Sequence, residues 1–451
     1  MLRQQKKQMT LWMLAWPIFL EMLLQFLLGT VDTLMVSHIS DGAVAVIGIS
    51  NQLFAAVNIL FTALASGTGI LVAQKLGANQ AGTARSLGIV GTNICVGVGI
   101  GLSVLLHFGA GPITRMLQLP ESLRPMGETY ISIVGGGMVL LAAMTVLSAV
   151  IRNTGNTRSP MIIAIGMNVI HVIMNYIVIY GAFGLPVLGL QGVAFSTTIS
   201  RLIGVIMLLV VFRHTFAKSI GWKDFRLMDR TLMKETFRLS WPLGVNSSSW
   251  CFTQLIIFSI IATLGAKELS ARTYMNTMES FCFMIGFSVA LAGQIRIANL
   301  HGAGEHSLAY KCAFRTLWIG LAFVQANAFL LYGFGQEAIQ LFTSDQEIIA
   351  FGVSLLGLNL LLQPSKMLNM AVGNALTAIG DTRFIMICGT ASLWIIAAGM
   401  SYYMGIKLGW GLTGIYIAMI ADELVRGMLV LYRWRSLFKH RIRAVSKGAA
   451  L

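Results

Sequence analysis

Charged residues are scarce in this 451-residue chain. Asp, Glu, Lys and Arg make up only 11% of it, against about 25% in an average soluble protein. A soluble globule of this size would need more charge to cover its surface, and a disordered chain would not carry 56% hydrophobic residues. The composition therefore predicts a polytopic membrane protein, in which about 20 apolar residues form each helical span.

Cysteine is also rare, and its spacing indicates neither a disulfide framework nor a metal site. The five cysteines are scattered, no two of them form a CxxC pair, and each falls in or beside an apolar run. We interpret them as free residues that pack between helices. The sequence also lacks a Walker A motif, an HExxH motif and a nucleophile elbow. We therefore expect no ATP-driven step, no enzymatic activity and no cofactor.

Long continuous apolar runs predict twelve transmembrane helices. Membrane-spanning strands would instead alternate apolar and polar residues. The chain is therefore predicted to be an all-α polytopic membrane protein. The spans are expected at residues 11–36, 43–73, 86–108, 129–150, 160–182, 189–212, 239–264, 270–295, 314–335, 348–373, 384–404 and 411–432.

Positive charge is in excess, with a formal net charge of +15, and its distribution predicts the orientation in the membrane. If the N-terminus lies inside, 24 of the Lys and Arg residues fall in inner segments, and only five, Arg272 among them, fall in outer segments. By the positive-inside rule, both termini are expected in the cytoplasm. This bias accounts for the net charge without a nucleic-acid partner.

An internal repeat divides the chain into two halves. At a constant offset of 225 residues, Trp16-Pro17 recurs as Trp241-Pro242, Gly77-Ala78 as Gly302-Ala303, and the turn at 155–158 as that at 380–383. After a three-residue slip, Gly189 and Gly192 align with Gly411 and Gly414. We predict an N-lobe at 1–212, a basic cytoplasmic linker at 213–238 and a C-lobe at 239–451. Two six-helix lobes related by a pseudo-twofold axis along the membrane normal are typical of transporters.

Several segments carry a resemblance to a known family. They are Val31-Asp32-Thr33, the turns GNTRSP at 155–160 and GDTRF at 380–384, the NVIHVIMNYIVIYG run at 168–181 and the LGLQGVAFSTTISR run at 188–201. In their order and spacing these segments resemble those of the multidrug and toxic compound extrusion (MATE) family. The segment PSKMLNM at 364–370 resembles sequences of the prokaryotic branch of that family. The resemblance implies an antiporter of the prokaryotic plasma (inner) membrane. Such an antiporter exports cationic or amphipathic organic compounds in exchange for H⁺ or Na⁺.

Asp32 is the strongest candidate for an ion-coupling residue. It lies late in span 1 in an otherwise apolar run, where an ionisable residue costs about 2.5–3.5 kcal/mol on insertion scales. The resemblance implies that the aspartate at this place takes part in ion or proton coupling. The alternative is a structural aspartate that is hydrogen-bonded to neighbouring helices.

Asn168, His171 and Asn175 extend the candidate coupling site. They lie at i, i+3 and i+7 on span 5, which places them on one helical face. His171 can change its charge near neutral pH, although a lone histidine is also a common polar bridge. The resemblance implies Asn at the second of these positions, which is His171 here, and Asp or Asn at the third, which is Asn175 here. Asp32 is therefore expected to be the main acid of the N-lobe.

The C-lobe departs from the sodium-coupled pattern that the resemblance implies. Trp250 stands where some relatives carry a glutamate in span 7, and Lys366 where they carry an aspartate in span 10. An ammonium group cannot ligate Na⁺, so we expect H⁺ to be the coupling ion. Lys366 needs a counter-ion, and Glu279 in span 8 is the candidate. The pair is either a proton site or a buried structural ion pair.

Candidates for lining a substrate cleft are mostly soft apolar side chains, since the chain has 25 Met and 24 Phe residues. They are Gln25, Met35, Phe54, Phe61, Met144, Trp250, Met278 and Phe281. Each apolar candidate can equally serve plain packing or lipid contact. We interpret Asp422, Glu423 and Arg426 of span 12 as a structural group paired within one helix.

Two other functions stay open at this point. Lipid flippases share the shape of this superfamily, but they would favour a strongly cationic cleft for a pyrophosphate group. The central cations here are few, essentially Lys366 and Arg201. A channel would more often show a filter-like loop or several symmetric subunits. The expected partners are small organic substrates and the lipid bilayer, and the chain is expected to act as a monomer.

Overall fold

The computed structural model of the chain describes residues 10–184, 186–216, 224 and 229–448, and these residues contain no strand. The first half contains α1 (Leu11–Ser37), α2 (Asp41–Gly77), α3 (Ala81–Phe108), α4 (Ala110–Met116), α5 (Arg124–Gly136), α6 (Met138–Asn153), α7 (Arg158–Tyr180) and α8 (Gly189–Thr215). The second half contains α9 (Arg230–Leu264), α10 (Ala266–Gly302), α11 (His306–Gly333), α12 (Gly335–Gln340), α13 (Gln346–Ala378), α14 (Thr382–Ser392) and α15 (Gly411–Gly448). Two π-helical segments, Leu393–Met400 and Tyr403–Lys407, follow α14.

The long helices agree with the twelve predicted spans. Ten helical segments within the described residues are long and apolar enough to cross a membrane, the segment Thr382–Lys407 counting as one. The helices α5 and α6 form an eleventh that is bent by 41° at Gly137, where three glycines follow one another. The helix α15, which covers the predicted span 12, carries three charged residues in its apolar part and is not among these segments. The prediction of an all-α polytopic membrane protein is confirmed.

The helices extend beyond the apolar runs, most clearly at α9 and α15. We expected span 7 to begin at residue 239 and span 12 to end at residue 432, but α9 begins at Arg230 and α15 continues to Gly448. Hydropathy marks only the part of a helix that lies in lipid, whereas the backbone hydrogen bonds continue into the polar flanks. Of the predicted linker, residues 217–223 and 225–228 lie outside the described residues.

The repeat is visible in the local backbone conformation. Gly155 and Gly380 adopt φ values of 94° and 90°, and Gly189 and Gly411 adopt φ values of 54° and 57°. These values lie in the left-handed region, where a side chain is strained and glycine is favoured. Each pair occurs at the offset predicted for it, so the two halves end and begin corresponding helices in the same way.

The described residues form two compact units. One contains residues 20–76 and 80–244, and the other contains residues from 245 onward together with those up to 19 and 77–79. The first unit has a core that includes Phe61, Ile131 and Phe212. The second has a core that includes Met275 and Tyr416. The helices α1 and α9 each contribute residues to both units.

Each unit contains one very close helix contact between a glycine and a threonine. A Cβ atom on Gly91 of α3 would lie 2.2 Å from Cγ2 of Thr68 of α2. In the second unit, a Cβ atom on Gly293 of α10 would lie 2.6 Å from Cγ2 of Thr316 of α11. The repeat aligns Thr68 with Gly293 and Gly91 with Thr316, so the same contact is made with the two residues exchanged. Small residues allow such close approach between membrane helices.

Candidate functional site

A cavity of about 220 Å³ lies within the first unit, lined by residues of α1, α2, α5, α7 and α8. Its wall is polar on several sides, although the surrounding helices are largely apolar. The polar lining residues are Asp32, Thr33, Asn51, Tyr130, Asn168, His171, Thr197, Ser200 and Arg201. The cavity therefore brings together the span 1 and span 5 candidates from residues that are far apart in the sequence.

Asp32 of α1 is held by two residues of α7. Its Oδ1 accepts a hydrogen bond of 3.2 Å from Nδ2 of Asn175, and its Oδ2 lies 3.5 Å from Nδ1 of His171. The Asp32 side chain is 32% exposed and borders the cavity, whereas Asn175 is fully buried behind it. A carboxylate in this position can meet a ligand in the cavity and still keep its contacts with α7.

His171 has a partner on each side of its ring. Nδ1 faces Asp32, and Nε2 lies 3.2 Å from the hydroxyl of Thr197 and 3.4 Å from Nδ2 of Asn175. The Thr197 hydroxyl donates to the carbonyl of Val193 at 2.9 Å, which leaves a lone pair for a proton on Nε2. The ring can therefore hold a proton on Nδ1 toward Asp32, and a second one on Nε2 toward Thr197.

Asn168 lines the same cavity one turn before His171 on α7. The i, i+3 and i+7 spacing thus places two of the three span 5 residues on the cavity wall and the third against Asp32. Among the described residues, the Oδ1 atom of Asn175 has no hydrogen-bond partner. The coupling role of the four residues stays a prediction, but the structure brings all four together.

The second unit contains a separate buried cluster around Glu279. Lys366 of α13 lies 2.9 Å from Oε2 of Glu279, which is the ion pair expected from the sequence. Arg272, also on α10, lies 3.0 Å from Oε1, and the hydroxyl of Tyr416 donates to the same oxygen at 2.8 Å. Three donors therefore converge on one carboxylate, and the four groups carry a net charge of +1 when all are ionised as usual.

Arg272 is more deeply buried than expected for a cation that was assigned to an outer segment. We counted it among the cations of the outer segments, but its side chain is only 2% exposed. It donates to Tyr416 at 2.8 Å, and its guanidinium lies over the rings of Phe258 and Tyr416. The signal that could have found it is its spacing from Glu279, because residues seven apart share one face of a helix.

A third charged group lies on α15 and is satisfied internally. Arg426 contacts Asp422 and lies 2.9 Å from Glu423, as the i+4 and i+3 spacing predicted. Ser392 donates to Asp422 at 2.6 Å, and Asn369 donates to Glu423 at 2.9 Å. The two carboxylates thus have partners from two other segments, which is the arrangement expected of a structural group.

None of the eight cleft candidates lines the cavity of the first unit. Phe54, Phe61 and Met278 are buried in the cores of their units, and Met35 and Met144 pack against the first core. Gln25 and Trp250 are exposed, and Phe281 is half-buried. Their part in substrate binding stays a prediction.

The comparisons with known proteins follow the same repeat. The sequence model of the MatE family matches residues 17–177 and again residues 242–403, one match in each half. The chain belongs to the MatE family. The family resemblance noted in the sequence is therefore confirmed. The family is one of multi-pass membrane proteins that act as multidrug efflux transporters, and not a family of enzymes.

MatE relatives match over almost their whole length. An uncharacterized transporter of Bacillus subtilis, YisQ, is 33% identical over 430 residues, which are 95% of this chain and 94% of the relative. A probable multidrug resistance protein NorM of Thermotoga maritima is 28% identical over 93% of this chain and 90% of its own. These bacterial relatives support the prokaryotic branch.

Solved MatE structures share the fold at lower sequence identity. The crystal structure of MATE in the bent conformation has a TM-score of 0.88 at 18% identity and covers 100% of this chain and 98% of that one. The outward-facing conformation of a multidrug resistance MATE family transporter has a TM-score of 0.86 and covers 95% of each chain. At this identity the likeness shows the fold alone.

Three residues that complete the cavity and the Glu279 cluster were not predicted from the sequence. Thr197 contacts His171, Tyr130 lines the cavity, and Tyr416 joins the Glu279 cluster. Threonine and tyrosine are both common within apolar spans, and a threonine hydroxyl usually bonds to a carbonyl of its own helix. Only the packing of neighbouring helices distinguishes these three from other hydroxyl residues of the spans.

Proposed function

We propose that the chain is a secondary-active efflux antiporter that exports amphipathic or cationic organic compounds in exchange for protons. The observation that carries the proposal is the Asp32 carboxylate on the wall of a polar cavity, in contact with His171 and Asn175. The internal repeat and the family support alternating access of two lobes as the mode of transport.

The coupling step follows from the charge of Asp32. An ionised carboxylate attracts a cationic group in the cavity, where water does not screen the interaction as it does in bulk. A proton that arrives on Asp32, directly or through His171, removes that attraction and favours release of the cation. Because proton and substrate compete for one group, each turnover exchanges one for the other.

The ligand chemistry supports protons over sodium ions. Na⁺ is a hard cation that needs several oxygen ligands, but one of the two groups nearest Asp32 is an imidazole, and Asn175 presents its NH₂ group. In the second unit, the ammonium group of Lys366 occupies the position where an acidic ligand would be needed, and it is paired with Glu279. Among the described residues, no group of three or more His, Cys, Asp or Glu side chains is placed to hold a metal ion.

The test is transport by the purified protein in proteoliposomes loaded with a fluorescent organic cation, such as ethidium. A pH gradient alone is expected to drive ethidium movement, and a sodium gradient at equal pH is expected to have no effect. Transport that depends on the sodium gradient and ignores the pH gradient would refute proton coupling. Dissipating the pH gradient with nigericin in potassium medium is the control, and it should abolish the signal.

A further inference from the structure

Arg201 of α8 differs from Arg85, Arg272 and Arg426, the buried arginines of the described residues, because it makes no ion pair with a carboxylate. The guanidinium groups of Arg272 and Arg426 are each paired with a carboxylate. Arg201 lines the cavity, and its buried Nη1 atom has no hydrogen-bond partner among the described residues. A cation within a membrane span is costly and is usually paired, so an exception on a cavity wall indicates a ligand.

Asp32 does not neutralise Arg201 in this arrangement. The two carboxylate oxygens of Asp32 contact His171 and Asn175. The titratable groups that face the cavity are Asp32 from α1, Tyr130 from α5, His171 from α7 and Arg201 from α8, while α2 presents Ile47 and Asn51. The cavity therefore holds one acidic group and one permanent cation on different helices.

The repeat provides an internal comparison for Arg201. The residue 222 positions further along, at the offset of the neighbouring Gly189 and Gly411, is Glu423. Glu423 is fully compensated, because it pairs with Arg426 at 2.9 Å and accepts from Asn369 at 2.9 Å. The charged residue at this repeat position is therefore paired with protein groups in the second half, as Glu423, and faces a cavity in the first half, as Arg201.

We propose that Arg201 binds the carboxylate of a zwitterionic organic substrate whose cationic group faces Asp32. A guanidinium presents a planar fork of donors that matches a carboxylate, and Arg201 presents it on the cavity wall. The proposal rests on the proposed antiport function, because Asp32 keeps its role as the group shared by the proton and the cation. Within the organic cations of the proposed function, it makes molecules that also carry a carboxylate the most tightly bound class.

The size of the cavity sets a limit on the probe. At about 220 Å³ the cavity is smaller than most pockets for drug-sized molecules, so a compact aromatic zwitterion is the suitable probe. We choose 4-guanidinobenzoate, which carries a guanidinium and a carboxylate at opposite ends. Its methyl ester is the matched cation of nearly the same shape, and it lacks only the negative charge.

The test is isothermal titration calorimetry on the full-length protein in nanodiscs at pH 7.5. Wild type is expected to bind 4-guanidinobenzoate at least 10-fold more tightly than the methyl ester. Arg201→Gln should abolish that preference and leave ester binding within about 2-fold, and Arg201→Lys should keep part of it because the charge is retained. Arg115→Gln, a change of an exposed arginine, is the control and should behave as wild type.

Two results would overturn the proposal. One is equal binding of the acid and the ester by wild type, and the other is an equal loss for both probes in Arg201→Gln, which would mean that Arg201 is structural. If Arg201→Gln does not fold, the ratio of the affinities for 4-guanidinobenzoate and its methyl ester can still be compared between wild type and Arg201→Lys. Equilibrium binding needs no gradient, so this result is independent of whether protons drive transport.

Discussion

Arg272 and Glu279 lie seven residues apart on α10, and their side chains meet at 3.0 Å within the second unit. Glu279 is 5% exposed, so its negative charge depends on protein partners rather than on water. Arg272 and Tyr416 are held equally deep, whereas Lys366 is 20% exposed. The two cations of this cluster therefore differ in how much the carboxylate relies on them.

This difference predicts unequal effects of two substitutions. Arg272→Gln is expected to destabilise the protein by about 3 kcal/mol, because it breaks a fully buried ion pair. Lys366→Gln is expected to cost much less, since Arg272 and Tyr416 still compensate Glu279. Thermal unfolding of the detergent-purified variants measures both effects. Equal losses of thermal stability would show that Glu279 relies on both cations alike, and a larger loss in Lys366→Gln would make Lys366 its principal partner.

Asp32 is expected to be essential for coupling but not for folding. Asp32→Asn imitates the protonated carboxyl group permanently, and an amide costs less in lipid than a carboxylate, so the variant should insert normally. It should lose proton-driven efflux, because the cycle needs both the charged and the neutral state. Asp41→Asn, a change at the exposed start of α2, is the matched control and should keep near-normal efflux.

The measurements are the amount of protein in the membrane and the rate of ethidium efflux under a pH gradient. Full coupled efflux by Asp32→Asn would place the proton site elsewhere, and the Glu279–Lys366 pair would be the next candidate. Loss of efflux in both variants would point to a general defect rather than to coupling.

The excess of inner Lys and Arg residues predicts the orientation of the chain. A cysteine at Lys223, which lies outside the described residues, and a cysteine at Ser122 should label oppositely in a cysteine-free background. An impermeant maleimide added to intact cells should label the second position only. Labelling at position 223 from outside would reverse the predicted topology.

The threonine–glycine contact of the repeat predicts a packing defect that a second change repairs. Gly91→Ala is expected to destabilise the first unit by about 1–3 kcal/mol, because its Cβ atom would lie 2.2 Å from Thr68. The exchange Thr68→Gly with Gly91→Thr should recover most of the loss, since it imitates Gly293 and Thr316. Gly97→Ala, on the same helix with open space around it, is the control.

Thermal unfolding of the four proteins in detergent decides this prediction. A Gly91→Ala variant as stable as wild type would show that α2 and α3 can separate at little cost. An exchange variant no better than Gly91→Ala would show that the contact is not equivalent in the two halves.

The sequence by itself determined the number of spans, the repeat and the main candidate acid. Long apolar runs are a property of each segment alone, so the membrane-spanning helices could be found without knowing their neighbours. The face shared by Asn168, His171 and Asn175 follows from helical periodicity. The pairing of Lys366 with Glu279 followed from the need of a buried cation for a counter-ion.

Only the tertiary structure decided which groups complete each site. Tyr416 lies 144 positions after Arg272 and yet shares a hydrogen bond of 2.8 Å with it. Thr197 reaches His171 from the next helix, and Arg201 faces the cavity instead of a carboxylate. In a chain of apolar helices, hydropathy and periodicity leave the rotation and pairing of the helices open. The packing of side chains between helices sets both, and therefore decides which polar groups meet.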